Sequence, residues 1–98
     1  MSIPLRIHPE AEAEFVDAIR SYGKHAADLA LDFEKAVDEG LAAIRQAPLR
    51  YPLIRGETRR LLIRRFPYGI FYIPQPREVH VLAIYHLKRD PRGWQRRV

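Results

Sequence analysis

Between residues 58 and 86 the chain carries three stretches rich in β-branched and aromatic residues, "TRRLLIRRF", "YGIFYI" and "EVHVLAIYH", separated only by Pro67 and by "PQPR". Turns this short leave no room for a crossover, so the three strands must be antiparallel neighbours in a meander. The last stretch alternates Val79, Val81, Ala83 and Tyr85 against His80, Leu82, Ile84 and His86, the period of a strand with two distinct faces. Such a sheet needs an apolar cover on at least one face.

The residues upstream supply that cover. Ala11, Phe15, Ala18, Ile19 and Tyr22 fall on one helical stripe, opened by Pro9, with Glu10, Glu12 and Glu14 near the positive end of the dipole and Gly23 as a stop. Ala26, Leu29, Phe33, Val37, Leu41 and Ile44 form a second, longer stripe, with Asp28, Asp32, Lys35 and Glu39 on other faces and Pro48 limiting its extent. Gly40 weakens this helix by about 1 kcal/mol relative to alanine and permits close packing. Before the helices, "IPLRIH" alternates Ile3, Leu5 and Ile7 with Pro4, Arg6 and His8, a short strand that begins the sheet. "APLRYPLIRGE", with two prolines and a glycine, reads as an irregular connection. The expected fold is α+β: a strand, a helix hairpin and a three-stranded antiparallel meander, with both helices on one face. Residues 1–98 make a single domain with one modest core.

Composition narrows the chemistry. The absence of cysteine removes disulfides, thiolate nucleophiles and cysteine-based zinc sites. No apolar run is long enough to span a bilayer, and Pro4 interrupts the place where a signal peptide would be apolar, so a soluble cytoplasmic protein is expected. Charge is divided: residues 1–48 hold five Lys/Arg against nine Asp/Glu, net −4, and residues 49–98 hold twelve against three, net +9. Eleven of those twelve cations are arginines, which favour planar bidentate contacts to phosphate or carboxylate. Either the acidic helices and the basic sheet attract each other, or a basic face recruits nucleic acid or an acidic protein segment.

Individual residues divide in the same way. Arg59, Arg60, Arg64 and Arg65 bracket an apolar strand; they either guard a sheet edge against aggregation or, as Arg65 with Arg59 or Arg60, bind phosphate or a partner's carboxylates. His80 and His86 share one face by the period of a strand, but no third ligand has matching spacing, so no metal is expected. His86 could act as an acid or base near arginines. Asp90 before Pro91 predicts a turn and a partner for Arg89 or Arg92, and Trp94 either docks the tail or anchors an interface.

The order strand, helix hairpin, meander, together with "RRFPYGIFY" and "VLAIYHLKRDPRGW", resembles the RelE/ParE superfamily of toxins from bacterial type II toxin–antitoxin systems, most specifically its ParE branch. The resemblance implies one fold with two activities. ParE-like members inhibit DNA gyrase by binding and need no hydrolytic centre, which would make this chain a toxin and not an enzyme. RelE-like members are ribosome-dependent mRNA endoribonucleases, with a lysine-rich surface and a tyrosine near the C-terminus; here no lysine lies between Lys35 and Lys88 and no tyrosine follows Tyr85. The ParE-like reading is therefore preferred, with Arg59, Arg60, Arg64, Arg65, Tyr68, Arg89, Arg92 and Trp94 as candidate contacts to target or antitoxin. The alternative is a ribonuclease with Glu57 as base, Arg65 on the phosphate and His86 as acid, and a third reading is an inactive basic interaction module. Each implies a cognate antitoxin with an acidic, apolar C-terminal segment, a toxin–antitoxin hetero-oligomer, no cofactor, no membrane and only secondary nucleic-acid binding. Gly93 departs from relatives, which often carry a bulkier residue before the tryptophan.

Overall fold

The computed structural model describes residues 3–98. Strand β1 (Leu5–Ile7) leads into helix α1 (Pro9–Gly23), where Pro9 occupies a first-turn position that needs no amide hydrogen. His8 caps this helix, its Nδ1 accepting the Glu10 N–H at 3.1 Å. A tight turn reverses the chain into α2 (Ala27–Gln46), and the two helices lie side by side as expected. Then come β2 (Leu53–Arg55), β3 (Thr58–Leu62), β4 (Tyr68–Pro74), β5 (Val79–His86) and a short helix α3 (Arg92–Gln95).

The sheet order is β1-β5-β4-β3-β2. The meander β3-β4-β5 is antiparallel, whereas β1 pairs parallel with β5. A parallel pair needs a crossover, and the helix hairpin provides it. Phe33, Val37 and Ile44 of α2, with Ala11 and Ala18 of α1, pack on Leu61, Ile70, Tyr72, Val79, Val81 and Ile84. Gly40 marks the closest approach: a Cβ there would stand 2.9 Å from Ile70 Cδ1 and 3.1 Å from Leu61 Cδ2. The fold is thus the expected α+β arrangement, with the α1/α2 layer placed against the sheet.

Three expectations change. The connection read as irregular contains β2, which pairs with β3 across a turn at Gly56 and Glu57; Gly56 has φ +55°, a conformation that glycine adopts without a Cβ penalty. Two prolines hid a strand of only three residues, too short to show alternation. "TRRLLIRRF" ends as a strand at Leu62, because the chain turns through Arg64 and Arg65 and the Ile63 N–H closes the hairpin on Tyr68 O at 2.9 Å. Finally, β5 does not alternate throughout. Tyr72 pairs with Val81 and Phe71 with Ala83, so Leu82 is an extra residue, a β-bulge. Beyond the bulge the faces exchange: Val79, Val81 and Ile84 face the helices, while Leu82, Ala83 and Tyr85 form a second cluster with Phe71 and Trp94 on the other side.

Candidate functional site

The arginines at the two ends of β3 have separate fates. Arg59 serves the fold: its Nη1 donates to the carbonyls of Leu49 at 3.1 Å and Tyr51 at 2.7 Å, and so fastens the loop after α2. Beside it the Tyr72 hydroxyl donates to Pro48 O at 2.6 Å, and burial, partly offset by the Arg59 charge, pushes this phenol up to about 12. Arg60 points to the other face, over the Phe71 ring.

Arg64 and Arg65 are exposed in the β3–β4 turn, where Arg65 adopts φ 71°, a conformation uncommon for a residue with a side chain. Arg65 Nη2 lies 3.6 Å from Asp32 of α2. With Lys35, Glu39 and Phe66 these groups line a depression of about 280 Å³. An apolar depression of about 250 Å³, floored by Ala36, Gly40, Ala43, Leu61 and Ile63, shares Arg64 and Glu39 with it. Together they make a groove between α2 and β3, apolar along its floor and charged at its end. Leu62, more than half exposed, lines it, while Leu49 and Leu53, also more than half exposed, border a separate depression with Glu57 and Pro74.

Tyr68 sits within an aromatic group with Tyr22, Phe33 and Phe66, and burial, followed by the neighbouring Tyr22 and Glu14, raises its pKa. His86 lies directly across from it on β5, the rings 5.1 Å apart at a steep angle. The bulge places His80 on the opposite face, beside Ile73 and with its ring 6.2 Å from His8, so the two histidines do not share a face. Burial, then Arg6 and His8, lowers the His80 pKa. Among the described residues no group of three His, Asp or Glu could hold a metal ion.

Glu57, Arg65 and His86 do not converge. His86 pairs with Tyr68 at the start of β4, whereas Glu57 shares a depression with Pro74 at its end, so roughly 20 Å of a seven-residue strand separates acid from base. Trp94 likewise departs from its role as a surface contact. It is 4% exposed, with its ring 4.8 Å from Phe71, and it docks the tail on the sheet. Gly93 has a physical reason here: a Cβ would collide with the Tyr85 hydroxyl, which donates to Asp90 O. Arg92 folds back on Asp90, whose carboxyl it holds below the usual carboxylate range. Arg89 lies 4.4 Å over the Tyr85 ring, its Nη1 bonded to Glu14 Oε2 at 2.7 Å.

Glu14 and Arg97 are the residues that sequence reasoning missed. β1 pairs with β5 only as far as Val81, and beyond it side chains serve the strand: Glu14 Oε1 accepts the Ile84 N–H at 3.2 Å and Arg97 Nη1 donates to Leu82 O at 3.0 Å. The two side chains then join each other, Nη2 to Oε2 at 2.7 Å, with Arg97 only 5% and Glu14 13% exposed. Glu10 adds a second carboxylate 2.9 Å from Arg97 Nε. The signal for Glu14 was present: it lies three residues after Ala11 and four before Ala18, on the apolar stripe itself, where a carboxylate needs a cation.

Residues 5–91 match the family described as "ParE toxin of type II toxin-antitoxin system, parDE". The chain belongs to the ParE toxin family. Its fold is also that of a solved structure, "Chromosomal ParDE TA system from P. aeruginosa", with a TM-score of 0.77 and 18% identity over 89% of this chain and 98% of that one. No curated protein sequence matches. Among the described residues of this ParE-family toxin no helix is long and apolar enough to cross a membrane.

Proposed function

We propose that this ParE-family toxin acts in the cytoplasm by binding and inhibiting DNA gyrase, and that a cognate antitoxin neutralises it. The observation that carries the reading is the family match over residues 5–91. The separation of Glu57 from His86 supports it further, because phosphodiester cleavage needs base, acid and phosphate ligands around one reacting group.

The antitoxin reading draws support from the groove between α2 and β3. Its apolar floor suits the apolar side of an extended or helical segment, and Arg64 and Arg65 at its end suit acidic side chains on the same segment. Arg64 has no carboxylate partner among the described residues, and the Arg65 pair at 3.6 Å is open to solvent, so an incoming carboxylate can replace Asp32 at little cost.

A paired assay with one preparation tests the target. Gyrase supercoiling is expected to stop, or gyrase-mediated DNA cleavage to rise, while mRNA on translating ribosomes stays intact. Unchanged gyrase at saturating toxin would overturn the reading, and ribosome-dependent mRNA cuts lost in Arg65→Ala or His86→Ala would replace it with the ribonuclease. Unimpaired growth on expression without a partner would point instead to an inactive interaction module.

A further inference from the structure

The sheet face turned away from α1 and α2 carries a depression of about 300 Å³, separate from the α2/β3 groove that supports the antitoxin reading. Phe71, Tyr85 and Trp94, each no more than 4% exposed, form its floor. Two cations line it, Arg60 from β3 and Arg89 from the turn after β5, and its lining contains no carboxylate.

Arg60 is set there by a gap in β4. At Gly69 a Cβ would stand 3.2 Å from Arg60 Cγ and Cδ and 3.1 Å from Phe71 Cε1, so glycine lets the arginine stem lie flat across the strand. The guanidinium comes to rest 6.0 Å from the Phe71 ring centre. Its Nε–H is buried with no acceptor, and among the described residues no carboxylate pairs with it. A desolvated charged donor without an acceptor is costly, and an anion entering the depression would remove that cost. Arg89 is held over Tyr85 by its single bond to Glu14, which leaves the rest of its fork unengaged.

We propose that this depression binds a phosphate group carried by an organic molecule, with Arg60 and Arg89 as its cationic contacts. A planar carboxylate is satisfied by one guanidinium fork, whereas a phosphate offers oxygens in several directions and can engage two forks from different elements. Ile54, Leu87 and Pro91 give the walls an apolar character that favours an ester over the hydrated inorganic ion. The site binds without cleaving. His86 closes its rim at the end of β5, and its Nδ1 is engaged by the Lys88 N–H at 3.1 Å.

The phosphate could come from a free nucleotide or from a nucleic-acid backbone, and one titration distinguishes them. The isolated toxin is titrated with inorganic phosphate, adenosine monophosphate and a short single-stranded oligonucleotide. Fluorescence of Trp94, the chain's only tryptophan, and the amide signals of Gly69, Phe71 and Tyr85 report binding. Saturable shifts are expected with an organic phosphate, weaker ones with inorganic phosphate, and about a tenfold or greater loss in Arg60→Gln and in Arg89→Gln. Arg64→Gln, on the α2 side, is expected to bind as the parent does. Binding of the mononucleotide alone assigns the site to free nucleotides; tighter binding of the oligonucleotide assigns it to a backbone. No saturation with either organic phosphate, or unchanged affinity in both Arg60→Gln and Arg89→Gln, overturns the proposal. No gyrase is present, so this result is independent of the target assay.

Discussion

Gly93 shows how one residue can be fixed by a contact rather than by its own backbone. The Tyr85 hydroxyl fills the space a Cβ would need, so Gly93→Ala must displace the ring or lose its bond to Asp90 O. A loss of about 1–3 kcal/mol in chemical denaturation is expected, as for other overpacked sites. Tyr85→Phe removes the obstructing oxygen, so the double variant should lose less than the sum of the two single changes. Tyr72 makes a prediction about pH. Its folded pKa is about 12, and the unfolded chain gives up the same proton near 10. Folding therefore favours the neutral phenol: its contribution is complete below about pH 10 and is lost as pH rises towards about 12, on the order of 2 kcal/mol. Denaturant melts across that window should show the decline, and Tyr72→Phe should reduce it.

At the scale of elements, the bulge in β5 decides what the C-terminal tail does. An extra residue at Leu82 turns Tyr85 towards the face away from the helices, where Trp94 can pack, and past the end of β1 Glu14 and Arg97 bond the Ile84 N–H and Leu82 O. Strand, helix α1 and tail thus close on one buried ion pair. Removing one member leaves the other charge desolvated, so Arg97→Ala should cost about 3 kcal/mol, and Glu14→Gln somewhat less because an amide oxygen can still accept. Hydrogen exchange locates the damage: amides of α3 and of Ala83 to His86 should lose protection before those of α2 do. The same clasp explains "HLKRDPRGW". Its aspartate and tryptophan are spent on the turn and the sheet, and Arg89 is held by Glu14 while Arg92 is held by Asp90.

Over the whole molecule, the division of charge is partly an internal matter and partly an external one. Glu10, Glu14 and Asp32 of the helices meet Arg97, Arg89 and Arg65 of the basic half. Arg55, Arg60, Arg64 and Arg96 have no such partner among the described residues. A surplus of this kind attracts an acidic segment from a distance, so association with the proposed antitoxin should slow about tenfold or more as salt rises from low to physiological strength or above. Dissociation, governed by the apolar floor of the α2/β3 groove, should change little. Stopped-flow measurements of the two rates check both statements.

What the sequence determined by itself is chiefly what repeats along the chain: the two helical stripes and the short-turned strands β3, β4 and β5, whose order carries the family resemblance. These follow from periodicity, because neighbours in sequence report on the same face. Strand β2 stayed hidden because three residues are too few to show a period. The bulge at Leu82 was hidden for a different reason: a strand's own residues do not say where its partner skips one, so the alternation of β5 was read straight through and His80 was put on the wrong face. Only tertiary structure decided that Glu57 and His86 lie far apart, that Arg59 holds a loop while Arg60 lines a depression, and that Glu14 meets Arg97 across 83 positions of chain. Contacts at such separations depend on how layers stack, and no local pattern carries that information.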